Sequence, residues 1–227
     1  MLAGFYGKIP TKGDFVQRSL NRAFTNNWDN WLQGCMDNSR AQLGADWLAK
    51  YLVSPLWRFA LPPGIFCDNA LFGVIMPSVD SVGRHFPLTL ALELPPQQEL
   101  FQFAISHDKW FEGLEDLALF ALDPEFSMQE FERRLEQHIS HSSELAVTSL
   151  PPIEGRMGWL QAGDNCQSLL NAGYAQQLSQ KALTQFSAPS LWWTAGSETN
   201  VPAFIVYEGL PPQREYASFL TGDWSNG

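Results

Sequence analysis

The chain has no apolar run near the roughly 20 residues that a membrane-crossing helix needs; residues 70–77 are among its longest, so no membrane insertion is expected. Its opening, Met1-Leu2-Ala3-Gly4-Phe5-Tyr6-Gly7-Lys8, carries no basic segment leading into a long apolar core, the mark of a secretory signal. Cysteine is scarce. Cys35, Cys67 and Cys166 lie far apart and form no C-x-x-C, which argues against a disulfide framework and for buried, reduced thiols in a cytoplasmic protein. Basic residues thin out along the chain. Residues 1–100 hold 8 basic and 8 acidic side chains, residues 101–227 hold 6 and 16, and the whole net charge of −10 comes from the second part. With no Lys/Arg stripe to offset it, such a surface repels phosphate backbones, and no nucleic-acid partner is expected.

What is present fits a folded enzyme or binding domain. Apolar residues make up 45% and charged residues 17% of 227, a globular composition with enough chain for one large core. Nine Trp and sixteen Phe are many for this size. Aromatics bury much area each, and a surplus also gathers at interfaces.

Residues 2–6 read as a strand that opens into the Gly- and Pro-bearing loop 7–14. Phe24, Trp28, Trp31, Leu32 and Cys35 recur at helical spacing, and a second helix should carry Trp47, Leu48, Tyr51 and Leu52 on one face, ending before Ser54-Pro55. Residues 56–61 read as a strand. Residues 70–76 are almost wholly apolar, as in a strand buried on both faces. From Phe86 the pattern alternates, Leu88, Leu90, Leu92 and Leu94 against Thr89, Ala91 and Glu93, which predicts a strand with one drier face; Pro87 places its start at an edge or bulge. The short link 77–84 makes the two strands antiparallel neighbours.

After Pro95-Pro96 two helices are expected, the first with Trp110, Leu114, Leu117 and Ala121 inward. The second opens on a capping box, Ser127 with Glu130, and a hydrophobic staple of Phe126 and Phe131, and continues through Leu135 and Ile139. Nine acids stand between Asp108 and Glu136 against Lys109, Arg133 and Arg134; they read as a solvated helix face or as a site for a basic partner. A Pro/Gly-rich loop (Pro151, Pro152, Gly155, Gly158, Gly163) leads to a helix capped by Asp164 with Gln167, its inner stripe Leu170, Tyr174, Leu178 and Ala182. Strands follow at 191–194 and 203–207, then a tail after Pro211-Pro212. Strands early and late with helices between them predict one α/β (α+β) domain over 1–227: a three-layer αβα sandwich on a mixed, largely antiparallel sheet.

Motifs for chemistry are few. Gly4-Phe5-Tyr6-Gly7-Lys8 resembles a phosphate loop superficially, but the glycine gap is short and Ile9 stands at the hydroxyl position, so no magnesium ligand is supplied and no cofactor is expected. His138 and His141, at i and i+3, could face one metal with Glu144 nearby, or sit exposed at a fraying helix end. Ser78, Asp80 and His85 have the atoms of a hydrolytic triad, yet they are crowded into one loop without a G-x-S-x-G elbow. More informative are Lys12, Asp14, Arg18, Arg58, Asp80 and Arg84, charged residues at strand ends and loops within apolar sequence. They read either as semi-buried bridges, with Arg58 or Arg84 paired to Asp14 or Asp80, or as a preformed polar patch that a partner reads.

The same stretches resemble the TagF/ImpM family of type VI secretion-associated proteins. The resemblance rests on Gly7-Lys8-Ile9-Pro10-Thr11-Lys12-Gly13-Asp14-Phe15-Val16 with Arg18, on Trp28-Asp29 and Trp31-Leu32, and on Ser54-Pro55, Trp57-Arg58-Phe59 and Gly64. Its most diagnostic part is Gly73-Val74-Ile75-Met76-Pro77-Ser78-Val79-Asp80 with Val82-Gly83-Arg84 and Phe86-Pro87-Leu88-Thr89. It covers residues 4–94 strongly and returns weakly at 190–194 and 209–211; residues 95–160 match no motif. Asn21 stands where the family often has Pro before the first helix. The resemblance implies a three-layer α/β fold and a non-catalytic, cytoplasmic repressor of secretion-system assembly, acting beside a threonine kinase, a phosphatase and an FHA-domain scaffold, the last a direct partner. Some relatives carry a PP2C-type phosphatase domain; none is expected within these 227 residues, and no phosphatase activity is carried over. The expected partner surface is Lys12, Asp14, Arg18, Arg58, Ser78, Asp80 and Arg84. The alternatives are a small serine hydrolase using Ser78 with Asp80 or His85, and a structural subunit of the apparatus.

Overall fold

A computed structural model describes residues 2–96, 100–141 and 172–225. The strands are β1 (Leu2–Gly7), β2 (Val16–Arg18), β3 (Trp57–Leu61), β4 (Ala70–Met76), β5 (Leu88–Leu94), β6 (Pro189–Thr194) and β7 (Ala203–Glu208). They form one sheet in the order β2-β1-β5-β4-β3-β6-β7. Among the described residues every pairing is antiparallel, so the sheet is the largely antiparallel one expected, without the parallel pairs that a mixed sheet implied.

Alternation along the strands divides the core into two layers. Phe5, Ala60, Phe72, Val74, Leu88, Leu90, Leu191 and Trp193 face one side, where α3 (Leu100–Ser106), α4 (Asp108–Phe120), α5 (Met128–His141) and α6 (Ala172–Gln185) supply Phe103, Phe111, Leu114, Phe131 and Ala182. Tyr6, Phe59, Leu71, Ile75, Ala91 and Trp192 face the other, covered by α1 (Arg22–Leu43), α2 (Trp47–Leu52) and α7 (Tyr216–Thr221). Helix, sheet, helix: the predicted three layers are present.

Local choices agree with this plan. Asn21 caps α1, its side-chain oxygen accepting the Ala23 N–H at 2.7 Å, so the asparagine does the work of starting the helix. Phe126 and Phe131 meet at 5.6 Å as a staple, and the Ser127 hydroxyl accepts the Glu130 N–H. The Glu130 carboxylate turns instead to Arg133 and Arg134, so the capping box is half made.

Several expectations fail for physical reasons. β5 is interior, and Thr89, Ala91 and Glu93 are buried like the leucines, because α1 covers the face that was expected to be wet. Trp28 donates its indole N–H to Thr89 at 2.8 Å, which lets a polar residue sit there. Pro87 lies just outside the strand. On α2 only Trp47 and Tyr51 face inward; Leu48, Leu52 and Val53 are exposed. The region after Pro95-Pro96 holds three helices, and the tail after Pro211-Pro212 is α7, packed on α1 and α2 through Tyr216, Phe219 and Leu220. The predicted loop at 151–163, the cap Asp164–Gln167, Leu170, Cys166 and Glu144 lie outside the described residues, and the Tyr174 and His141 side chains with them.

Candidate functional site

The loop after β1 and the β4–β5 connection leave the same end of the sheet, since β1 and β4 both flank β5 antiparallel to it. Gly7 (φ +142°) lets β1 turn off there; a Cβ would strike the Pro87 carbonyl oxygen. In the second loop Gly83 (φ +86°) closes a turn in which its N–H bonds to the Asp80 carbonyl at 3.0 Å, and Asp80 N–H to the Arg84 carbonyl at 3.0 Å. A bridge between Val79 and His85 completes the hairpin.

Asp80 is the hub. Its carboxylate accepts Lys8 Nζ at 2.7 Å, Arg84 Nε at 2.7 Å, and the backbone N–H groups of Val82 at 3.0 Å and Arg84 at 2.8 Å. Both Lys8 and Asp80 are buried. Burial pushes the Asp80 carboxyl up, but the Lys8 and Arg84 bonds outweigh it and hold it well below the ordinary carboxylate range. The two loops are tied by Ser81 N–H to the Lys12 carbonyl at 2.9 Å, and by Arg84 Nη2 to the Gly13 carbonyl. Ser78 locks the base: its hydroxyl donates to the Lys8 carbonyl at 2.7 Å, and its N–H and carbonyl both meet the Tyr51 hydroxyl.

Outward from this base stand Lys12, Asp14, Phe15, Val82 and Arg84. The Arg84 side chain is 57% exposed and lies 3.8 Å from Asp14, itself 96% exposed. Phe15 is exposed although its ring stacks on Tyr6 at 5.5 Å and meets Phe86 edge-on at 4.9 Å. Lys8 Nζ lies 5.1 Å from the Phe15 ring centre.

Of the residues expected to form a partner patch, the structure brings Lys12, Asp14, Ser78, Asp80 and Arg84 together. Ser78 and Asp80 are buried, so they support the surface instead of forming it. Arg58 is elsewhere and is corrected: it points from β3 to α4, bidentate to Glu115 at 2.7 Å and 2.6 Å from Asp108, with 6% of its side chain exposed. Burial lowers the guanidinium pKa, and the two carboxylates raise it by more. The same contact corrects the acidic stretch, two of whose members face the sheet. Arg18 is paired with Glu132 on α5 at 2.8 Å.

No triad forms: Ser78 Oγ is committed to a backbone carbonyl, and among the described residues no hydrogen bond joins it to His85 or Asp80. The His85 ring sits edge-on to Trp47 and Tyr51. His138 stacks on Trp110, with Nε2 2.9 Å from the Trp110 carbonyl. No group of three or more His, Cys, Asp or Glu side chains among the described residues could hold a metal ion, and no described helix is long and apolar enough to cross a membrane. Cys35 is buried and Cys67 half-buried, both free thiols. The expected site residues did not include Lys8, Phe15 and Val82, although all three lie in the motifs quoted; the signal for the buried pair was there in Lys8 and Asp80, each a lone charge beside Pro-bounded apolar sequence.

A sequence model described as the TagF N-terminal domain, type VI secretion system-associated, matches residues 4–138. A solved structure, PA0076 from Pseudomonas aeruginosa PAO1, is 39% identical with a TM-score of 0.74, over 97% of this chain and 94% of that one. Comparison with curated proteins gives no match.

Proposed function

The chain belongs to the TagF family of type VI secretion system-associated proteins, and from that membership we propose that it is a cytoplasmic regulator that represses assembly of the secretion apparatus by binding, without catalysis. The observation that supports this reading is the end of the sheet around Asp80. A buried ion pair and a net of hydrogen bonds hold two apolar side chains, Phe15 and Val82, and two cations, Lys12 and Arg84, toward solvent. Burying such a pair is costly and contributes little net stability, so its use to fix loops that expose apolar groups favours recognition over folding as its role. A surface already ordered avoids the roughly 0.5–1.5 kcal/mol that each side chain immobilised on binding costs. The partner in this reading is the pathway's FHA-domain scaffold.

The test is overproduction in a type VI-competent bacterium with fluorescently counted assemblies. Wild type is expected to reduce the count, and a folded Arg84→Ala protein to restore it. An unchanged count with wild type would refute repression; full repression by Arg84→Ala would move the surface elsewhere.

A further inference from the structure

We propose that what this surface accepts is an acidic, extended segment of the partner, with an apolar side chain against Phe15 and Val82 and carboxylates against Lys12 and Arg84. The inference rests on the binding reading above and names the chemistry of the ligand.

Charge carries the first part of the case. Five charged side chains meet here, Lys8, Lys12, Arg84, Asp14 and Asp80, with a net of one positive charge on a chain whose total is −10. Lys8 is used up by Asp80 inside the base. Arg84 gives Nε to Asp80 and Nη2 to Gly13, which fixes the plane of the guanidinium while 57% of the side chain stays open to solvent. Lys12 is exposed, its backbone is held by Ile9 and Ser81, and its ammonium has no ion pair among the described residues. The sole exposed anion in the cluster, Asp14, is 3.8 Å from Arg84. The charged groups that face out are therefore two cations, Lys12 and Arg84, against one anion, Asp14.

The rest of the chain sharpens the choice. A basic segment would be drawn to the acids between Asp108 and Glu136 and repelled by Lys12 and Arg84. An acidic segment is repelled by those acids and drawn to Lys12 and Arg84, which favours this surface over the acidic second half of the chain. Such guidance acts only within about 8 Å at physiological salt, which makes it a local selection of register.

The apolar part follows from rigidity. Val82 is 67% and Phe15 43% exposed, yet neither is loose: the Val82 N–H is bonded to the Asp80 carboxylate, and the Phe15 ring is held by Tyr6 and Phe86. They flank loops joined by the Ser81–Lys12 backbone bond. Apolar side chains on tied loops beside one fixed guanidinium and the Lys12 ammonium favour a segment that alternates apolar and acidic residues, since charge alone would give affinity with little orientation.

The experiment is a ¹H–¹⁵N NMR titration of the full chain with a short synthetic peptide alternating Glu and Asp with Leu and Phe. Its Lys/Arg counterpart and inorganic phosphate serve as the other arms. The acidic peptide is expected to shift the amides of Gly13, Phe15, Val82 and Gly83. Lys12→Glu, an exposed position that leaves the fold intact by circular dichroism, should weaken that binding about tenfold or more, and Phe15→Ala should weaken it with Lys12 in place. Equal shifts from the basic peptide, the same shifts from phosphate alone, or none from the acidic peptide would overturn the inference. If the peptide fails while Arg84→Ala still relieves repression in cells, the regulator stands and the acidic segment falls.

Discussion

Replacing Arg58 by methionine removes the cation that ties β3 to α4 and leaves Asp108 and Glu115 facing an apolar side chain. Breaking a buried ion pair from one side costs about 3–5 kcal/mol, because a charge is stranded. Here Asp108 and Glu115 keep 16% and 19% of their side chains in contact with water. Hydration relieves part of the penalty, which puts the loss near the lower end, about 3 kcal/mol. For a chain of this length that lowers Tm by about 6–12 °C. Urea denaturation followed by tryptophan fluorescence measures it. The double variant Arg58→Met/Glu115→Met should regain at least half, since the stranded carboxylate is gone and apolar groups fill the space. A loss under about 1 kcal/mol for the single variant would refute the anchoring role. A double variant no more stable than the single would refute the stranded-charge argument.

Thr89→Val keeps the shape of the site but leaves the Trp28 indole N–H without its acceptor; a loss of about 1–3 kcal/mol in urea is expected, and a neutral result would mean that water or another acceptor reaches the indole. Gly73→Ala places a Cβ against the Leu90 carbonyl oxygen and the Phe59 ring at the centre of the sheet, so little folded protein should be recovered, as circular dichroism of the purified fraction would show. His107 and His85 both have pKa values lowered chiefly by burial. Each ring takes up a proton less readily when folded than when unfolded, where it does so near pH 6.5. Their contribution is therefore full above that pH and lost as pH falls below it, and a His85→Gln/His107→Gln variant should show a flatter decline in Tm between pH 7 and pH 5. Asp80 runs the same way at a lower pH: its folded-state pKa is depressed, so its bonds should survive pH values at which ordinary carboxylates protonate.

Much of the fold was legible because periodicity and turn chemistry are local. The all-apolar run of β4, the helical stripe from Phe24 to Cys35, and the Ser127 cap each state their structure within a few residues. What failed depends on distant chain. The drier-face reading of β5 assumed water where α1 lies, and no local signal says that a helix 61 residues away will lend Thr89 an indole. Arg58 was read with the acids nearest it in loop character, whereas its partners are 50 and 57 residues on, in a stretch that looked solvated. The site was half legible. Lys12, Asp14, Asp80 and Arg84 could be singled out as charges in apolar loops, but which of them would be buried as a base and which left as a rim depends on Lys8, 72 residues from Asp80 in the chain.

The central claim, that this chain acts by binding through the Asp80-supported loops, is most directly tested by using the purified protein, wild type and Arg84→Ala, as bait in lysate of a type VI-competent bacterium, with captured proteins identified by mass spectrometry. Both baits must give the same circular dichroism spectrum. The account predicts capture of an FHA-domain scaffold by wild type and its loss with Arg84→Ala. Equal capture by both baits, or capture of no secretion component by wild type, would contradict it.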